Sequence, residues 1–261
     1  MTAFAFVFPG QGSQSVGMLN AWADHPAVRR TLDEASAALG EDMARLISQG
    51  PKEALDLTTN TQPVMLTAAI ANYRVWLAEG GAEPAAVAGH SLGEYTALVA
   101  AGALTLADAL PLVRLRAQAM QEAVPVGTGA MAAILGLDAQ AVREGCAQAA
   151  AATGEVVEAV NFNDPKQTVI AGSKAGVEKG CELLKALGAK RALPLPVSAP
   201  FHCSLMKPAA ERLRVRLAEI AITSPRIPVI NNIDVAVQTE PDAIRDALYR
   251  QAFGPVRWVE L

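Results

Sequence analysis

The pentapeptide at positions 89–93, Gly-His-Ser-Leu-Gly, combines residue types and a spacing that could do chemistry. It follows an apolar run at 85–88 and precedes a helix-forming stretch that begins at Glu94. Between a strand and a helix, Gly-x-Ser-x-Gly is typical of a nucleophile elbow, a sharp turn that exposes the serine hydroxyl. Ser91 is therefore a candidate nucleophile, and the backbone N–H of Leu92 could face a developing oxyanion. A tight structural turn is the alternative.

A serine hydroxyl is a poor nucleophile unless a base takes its proton. Of the histidines, His202 is the best candidate base, because its loop at 198–203 joins a predicted strand to a predicted helix, where α/β sheets bind ligands. His90 adjoins Ser91, and adjacent strand residues point to opposite faces, so we expect a structural role for it. His25 lies in a polar helical segment and is expected at the surface. A helix-capping or core histidine is the alternative for His202.

The composition excludes several classes of function. The chain has 261 residues, is 51% hydrophobic and carries a net charge of −4, which allows a sizeable core and argues against nucleic-acid binding. Three cysteines and three histidines lack the spacing of a disulfide framework or a metal site, so we expect no metal and no cofactor. No signal peptide is predicted, because the N-terminus has no basic region and its apolar run at 4–8 is too short. No membrane span is predicted, because the apolar stretch at 85–113 is interrupted by His90, Glu94 and Asp108. We expect a soluble, cytoplasmic protein.

The order of predicted elements indicates an α/β fold with a mainly parallel sheet. Ala3–Phe8 is a short strand followed by a glycine-rich loop, and the strongest early helix is predicted over Pro63–Glu79. The segment after Gly127 has its own order, strand-helix-strand-strand-helix-strand, which is the split βαβ unit of ferredoxin-like folds. Its predicted elements lie at 130–137, 138–152, 156–162, 167–171, 174–187 and 191–195.

Five segments occur in the order seen in one family: Gly10–Gln14, Gly89–Gly93, Arg116 within 115–121, Asn161–Asn163 and Ala199–His202. With them the chain resembles the malonyl-CoA:acyl carrier protein transacylases of dissociated fatty-acid synthesis, which are related to acyltransferase domains of polyketide synthases. The resemblance runs from Phe6 to the C-terminus. It implies a hydrolase-like catalytic subdomain at 1–127 and 197–261, with a ferredoxin-like subdomain at 128–196. Family members run on past Leu261, so we expect the C-terminal part to be shortened here.

The resemblance also implies a reaction, the transfer of a malonyl group from malonyl-CoA to the phosphopantetheine thiol of acyl carrier protein. Ser91 would accept the acyl group and His202 would be its base. The backbone N–H groups of Gln11 and Leu92 would form the oxyanion hole. The backbone carbonyl of Gln251 would orient the histidine, in place of the acidic side chain used by esterases.

Substrate contacts follow from the same resemblance. Arg116 would pair with the free carboxylate of malonyl, because a guanidinium matches a carboxylate with two parallel hydrogen bonds. Gln11, Asn161 and Asn231 would also line the substrate path, and the bulk of Phe201 would favour unbranched malonyl groups. The alternatives are a helix-surface salt bridge for Arg116 and turn positions for the two asparagines.

Two other functions stay open on the sequence. The same serine and histidine could serve a thioester hydrolase, since nothing in the sequence proves that water is excluded. The second alternative is a non-catalytic scaffold that binds the carrier protein, although a pure binder would not need Ser91, His202 and Arg116 together.

Overall fold

The computed structural model describes residues 3–197 and 199–261. Within these ranges the strands are β1 Ala5–Phe8, β2 Ala86–Gly89, β3 Gly129–Leu135, β4 Val157–Asp164, β5 Gln167–Ser173, β6 Arg191–Pro194 and β7 Val229–Ile230. The α-helices are α1 Pro26–Leu39, α2 Met43–Gln49, α3 Lys52–Leu55, α4 Thr58–Ala78, α5 Leu92–Ala100, α6 Leu106–Glu122, α7 Ala139–Thr153, α8 Lys174–Ala186, α9 Lys207–Glu219 and α10 Pro241–Phe253. The α/β class predicted from the sequence is confirmed.

The chain divides into two compact units, each built from more than one segment. The first unit comprises the residues up to Gln118 together with Arg216–Asn231 and Ala236–Arg245. The second unit comprises Ala119–Val215, Asn232–Val235 and Asp246–Leu261.

A parallel sheet of β1, β2 and β7 forms the centre of the first unit, with β2 in the middle. Strand β2 is short and apolar, and Val87 within it is fully buried, as expected of a strand covered on both faces. Because β2 leads directly into the turn before α5, the sheet fixes the position of Ser91.

Glycines at both ends of the pentapeptide let this strand and helix approach closely. A Cβ on Gly89 would lie 1.9 Å from the backbone carbonyl of Gly93, and a Cβ on Gly93 would lie 2.2 Å from the carbonyl oxygen of Phe8. Neither distance is compatible with a side chain. The glycine spacing is therefore a packing requirement of the turn as well as a sequence pattern.

Helix α4 begins five residues earlier than the predicted Pro63, at Thr58. A helix that began at Pro63 would have the proline in its first turn, where it loses no hydrogen bond, whereas an interior proline removes one at a cost of about 3 kcal/mol. In the structure Pro63 lies inside a largely buried helix. Tertiary burial of the whole helix therefore outweighs the local preference of one residue.

The second unit contains an antiparallel sheet in the order β4-β5-β3-β6, with helices α7 and α8 in the connections. This is the strand-helix-strand-strand-helix-strand order predicted from the sequence, and each element lies within two residues of its predicted ends. Side chains of β3 alternate between two cores. Ala132 and Ile134 pack with α7 and α8, whereas Met131 and Ala133 pack with the cluster that contains Cys203. Both faces of the sheet are therefore covered.

We expect Gly89→Ala to lower the free energy of unfolding by roughly 3 kcal/mol, because the added methyl group has no space beside Gly93. The matched control is Gly80→Ala, where φ is +82° and nothing lies within 4 Å of the new Cβ. Backbone strain alone should cost the control about 1 kcal/mol. Urea unfolding of both variants makes the comparison, and equal losses would contradict the packing explanation.

Candidate active site

Ser91 sits at the turn between β2 and α5 with an unusual backbone conformation. Its φ of 53° and ψ of −107° lie outside the regions that residues with a side chain normally adopt. Strain of this kind persists only where the surrounding structure enforces it, and it is frequent at functional sites. Leu92 is the first residue of α5, so its backbone N–H has no acceptor within the helix. The turn thus places a serine hydroxyl beside a helix N-terminus.

Arg116 on α6 is almost completely buried, with 2% of its surface exposed, and it contacts the serine directly. Its Nη2 donates a hydrogen bond of 3.1 Å to Ser91 Oγ, and its Nη1 donates one of 2.9 Å to Gln62 Oε1. The guanidinium carbon lies 5.4 Å from the centre of the Tyr95 ring, within range of a cation–π interaction. Burial lowers the pKa of Arg116 from its ordinary value, yet an arginine stays charged in proteins. A buried positive charge therefore lies against the candidate nucleophile.

Sequence reasoning did not find the role of Gln62. It is 2% exposed, and it sits on α4, far along the chain from the residue it binds. Gln62 is one of several polar residues near the start of α4, so residue type alone neither distinguishes it nor identifies its partner. Its amide oxygen fixes one edge of the guanidinium, so that the other edge points at Ser91.

Two further predicted site residues belong to the first unit. Gln11 is exposed in the loop after β1, and its Nε2 donates a 3.1 Å hydrogen bond to Thr58 Oγ1 at the start of α4. Asn231 is buried directly after β7, and its backbone N–H donates to Ala236 O at 3.0 Å. Both residues therefore lie at the carboxyl ends of strands of the parallel sheet, the edge at which such sheets bind ligands.

His202 belongs to the second unit, where it is 3% exposed and has a positive φ of 67°. Its Nδ1 lies 2.9 Å from the backbone carbonyl oxygen of Gln251 on α10. A carbonyl can only accept a hydrogen bond, so Nδ1 carries the proton and Nε2 is left as an acceptor. That tautomer is the one a general base requires. Gln251 contributes this bond through its backbone, as the resemblance implies.

The loop around His202 is held by contacts within the second unit. Cys203 is fully buried against the sheet, and the half-buried Phe201 packs against the same cluster. The Glu158 carboxylate on β4 accepts hydrogen bonds from the backbone N–H of Ser204 at 3.1 Å and from its hydroxyl at 2.5 Å. The predicted loop begins at Ser198, which lies outside the described residues. Glu158, another residue that sequence reasoning missed, ties the loop to the sheet.

Asn161 lies on β4 next to a break in the regular pairing with β5. Its backbone forms a bridge with Val256, and its side-chain Oδ1 is buried without a hydrogen-bond partner among the described residues. A buried amide oxygen of this kind can accept a hydrogen bond from a ligand.

The described part of the chain contains no group of three or more histidine, cysteine, aspartate or glutamate side chains placed to hold a metal ion. In the same residues, no helix combines the length and the apolar character needed to cross a membrane.

Comparison with known proteins identifies the family. A family model described as an acyl transferase domain matches residues 5–260. The chain belongs to the acyl transferase domain family. The strained serine turn and the buried arginine are thus features of an acyltransferase.

The names of individual relatives describe a more specific activity than the family model does. A malonyl CoA-acyl carrier protein transacylase from Escherichia coli is 59% identical over all of this chain and 84% of its own length. The crystal structure of an acyl-carrier-protein S-malonyltransferase from Burkholderia pseudomallei is 69% identical, with a TM-score of 0.97 over 99% of this chain and 84% of that one. A third structure, a malonyl-transacylase in complex with a type II polyketide acyl carrier protein, is 52% identical, with a TM-score of 0.96 over 98% and 83% of the two chains.

We expect Glu158→Ala to lower the free energy of unfolding by about 2 kcal/mol, because two hydrogen bonds to a charged carboxylate are lost. Ser204→Ala is the control, since it removes the hydroxyl bond and keeps the backbone one, and it should cost about half as much. Urea unfolding followed by circular dichroism measures both. If Ser204→Ala is as damaging as Glu158→Ala, the backbone bond contributes nothing.

Proposed function

We propose that this acyltransferase moves a malonyl group from malonyl-CoA to the phosphopantetheine thiol of an acyl carrier protein, in fatty-acid or polyketide synthesis. The observation that carries the proposal is the 3.1 Å hydrogen bond between Arg116 Nη2 and Ser91 Oγ. It places a carboxylate-binding group next to a nucleophile, which suits an acyl group that carries a free carboxylate. The named relatives act on the same substrates by their descriptions.

In the proposed reaction Ser91 is the nucleophile and His202 is the general base. The Ser91 hydroxyl attacks the thioester carbonyl while His202 Nε2 takes its proton, and the leaving coenzyme A thiolate receives that proton. In the second half-reaction His202 deprotonates the carrier thiol, which attacks the malonyl ester on Ser91. The bond between Ser91 Oγ and the acyl carbon then breaks, and the leaving serine oxygen takes the proton back from His202. The Gln251 carbonyl, which accepts a hydrogen bond from the Nδ1–H of His202, stabilises the charged imidazole during both steps.

The oxyanion of each tetrahedral intermediate is assigned to the backbone N–H groups of Leu92 and Gln11. Leu92 supports this assignment because its N–H starts α5 and carries the partial positive charge of the helix terminus. Donors aimed at an oxyanion each contribute about 3 kcal/mol to acyl transfer.

The remaining predicted residues are proposed to hold the substrate. Arg116 would bind the malonyl carboxylate, while Gln11, Asn161 and Asn231 would contact the rest of the acyl-pantetheine. The ring of Phe201 would disfavour a methyl branch on the acyl group. Asn161 Oδ1 is buried without a hydrogen-bond partner among the described residues, and a pantetheine amide N–H could donate to this oxygen. This supports the proposed role of Asn161 in binding the substrate.

We assign the hydrolase-like catalytic subdomain to 1–127 and 197–261 and the ferredoxin-like subdomain to 128–196. The chemistry requires no cofactor beyond the coenzyme A thioester substrate, and we place the reaction in the cytoplasm, without nucleic-acid or membrane partners.

The direct test is intact mass spectrometry after mixing with malonyl-CoA. We expect a malonyl adduct on wild-type protein that peptide mapping places on Ser91, and that disappears when an acyl carrier protein is added. Ser91→Ala, which removes only the hydroxyl, should show none. Release of free malonate at the rate of coenzyme A loss, unaffected by the carrier protein, would instead indicate a thioester hydrolase. An unmodified Ser91 would refute acyl transfer.

Replacing Arg116 by alanine should lower the rate of malonyl loading about 100-fold, because a charged bidentate hydrogen bond to the carboxylate is lost. Acetyl loading should change far less, since acetyl has no carboxylate. Arg114→Ala is the matched control, because Arg114 lies two residues away on α6 and binds Glu41 instead. Rates from rapid-quench mass spectrometry compare the variants. Equal losses with both acyl groups would show that Arg116 does not read the carboxylate.

A further inference from the structure

The imidazole of His202 is oriented by one backbone carbonyl in the last turn of α10. Its Nδ1 donates to the carbonyl oxygen of Gln251 at 2.9 Å. In a continuous helix that carbonyl would bind the N–H four residues later, but the residue there is Pro255, which has no N–H. Helix α10 ends at Phe253, so the carbonyl belongs to the helix terminus, where partners come from outside the helix. The tautomer of His202 therefore depends on where this helix end lies.

An ion pair ties the same turn of α10 to the loop at 232–235. Arg250, the neighbour of Gln251, donates two parallel hydrogen bonds to the Asp234 carboxylate, from Nη1 to Oδ1 at 2.7 Å and from Nη2 to Oδ2 at 2.8 Å. A bidentate pair of this kind fixes orientation as well as distance. The two side chains are partly buried, which reduces screening by water. The pair therefore links the residue beside Gln251 to a loop sixteen residues earlier in the chain.

The loop that carries Asp234 is itself constrained. Val235 has a φ of 55°, which is rare for a β-branched residue and persists only where the surrounding structure enforces it. The backbone carbonyl of Asn232 accepts a 3.2 Å hydrogen bond from the N–H of Arg257. Asp234 therefore offers Arg250 a partner whose own position is fixed.

A second carboxylate binds the same guanidinium but links it to nothing else. Arg250 Nε donates to Asp246 Oδ2 at 2.7 Å, and Asp246 lies one turn earlier on α10 itself. This bond stays within the helix and cannot fix the helix to the loop. Asp234 and Asp246 are therefore matched in chemistry and differ in what they connect.

We propose that Arg250 is a positioning residue for acyl transfer, because its pair with Asp234 holds the Gln251 carbonyl where it selects the Nδ1–H tautomer of His202. The proposal rests on the proposed function, in which His202 is the base. Without the pair, the last turn of α10 shifts and the bond to Nδ1 weakens, so the neutral imidazole also carries its proton on Nε2. An Nε2–H imidazole cannot take the proton of Ser91.

Three variants test the role of the pair in catalysis: Asp234→Ala, Asp246→Ala and Arg250→Lys. We expect Asp234→Ala to lower the maximal rate of malonyl loading about tenfold, because rate falls steeply when a catalytic group is misplaced. The malonyl-CoA concentration for half-maximal rate should stay unchanged. Asp246→Ala, the matched control, should load at the wild-type rate. Arg250→Lys should lose less than Asp234→Ala, since an ammonium keeps the charge but not the fork. Rapid-quench mass spectrometry measures each rate.

Imidazole ¹⁵N spectra recorded at alkaline pH, where the ring is neutral, report the tautomer without any substrate. The chain has three histidines, and the signals of His202 are those missing from His202→Ala. We expect Nδ1–H in wild type and in Asp246→Ala, and a mixture with Nε2–H in Asp234→Ala. Circular dichroism checks that each variant is folded. A role in stability alone would leave the tautomer of the folded protein unchanged.

The two measurements together decide the role of Arg250. Slower loading with a changed tautomer in Asp234→Ala, and neither in Asp246→Ala, supports positioning. Equal losses in these two variants, or an unchanged tautomer in Asp234→Ala, overturn it. If Asp234→Ala does not fold, Arg250→Lys decides by the same two measurements. If wild-type protein loads malonyl normally and the Asp234→Ala tautomer is unchanged, only the positioning role is wrong. If wild-type protein does not load malonyl on Ser91, the proposed function fails, and the spectra still test the positioning of His202.

Discussion

The buried positive charge of Arg116 constrains the architecture of the first unit. The Arg116 guanidinium has been taken out of water, and such a charge is tolerated only where hydrogen bonds and a polarisable surface compensate for the lost hydration. Gln62 on α4, Ser91 at the start of α5 and the Tyr95 ring one turn further along α5 provide these contacts. Helices α4, α5 and α6 must therefore hold their relative positions closely, because a shift in any one would weaken a contact that compensates for the buried charge.

The strained turn at Ser91 depends on the same packing. A serine with φ of 53° is held there by close contact between β2 and α5, and that contact is possible only because residues 89 and 93 have no side chain. In the second unit, His202 also has a positive φ and is fixed by the Gln251 carbonyl and by the anchored Ser204 that follows it. Both candidate catalytic side chains thus sit on backbone that the surrounding fold enforces.

The sequence was sufficient wherever the signal is local. Gly-x-Ser-x-Gly between an apolar run and a helical stretch indicates the elbow, and hydrophobic periodicity indicates the ferredoxin-like order of elements. Prediction from the sequence failed where the structure depends on residues that are distant in the chain. The start of α4 was misplaced because burial outweighs the preference of Pro63 for a first turn. Gln62 and Glu158 were missed because their partners, Arg116 and Ser204, lie far away in sequence, and nothing in a glutamine or a glutamate reveals which side chain it will meet.

We infer that the buried guanidinium and the serine hydroxyl form one unit that receives a malonyl group. A crystal structure of the malonylated protein, trapped before carrier protein is added, tests it most directly. We predict an ester on Ser91 whose free carboxylate accepts two hydrogen bonds from Arg116. A malonyl carboxylate bound by other side chains, with Arg116 still directed at the ester oxygen, would contradict it.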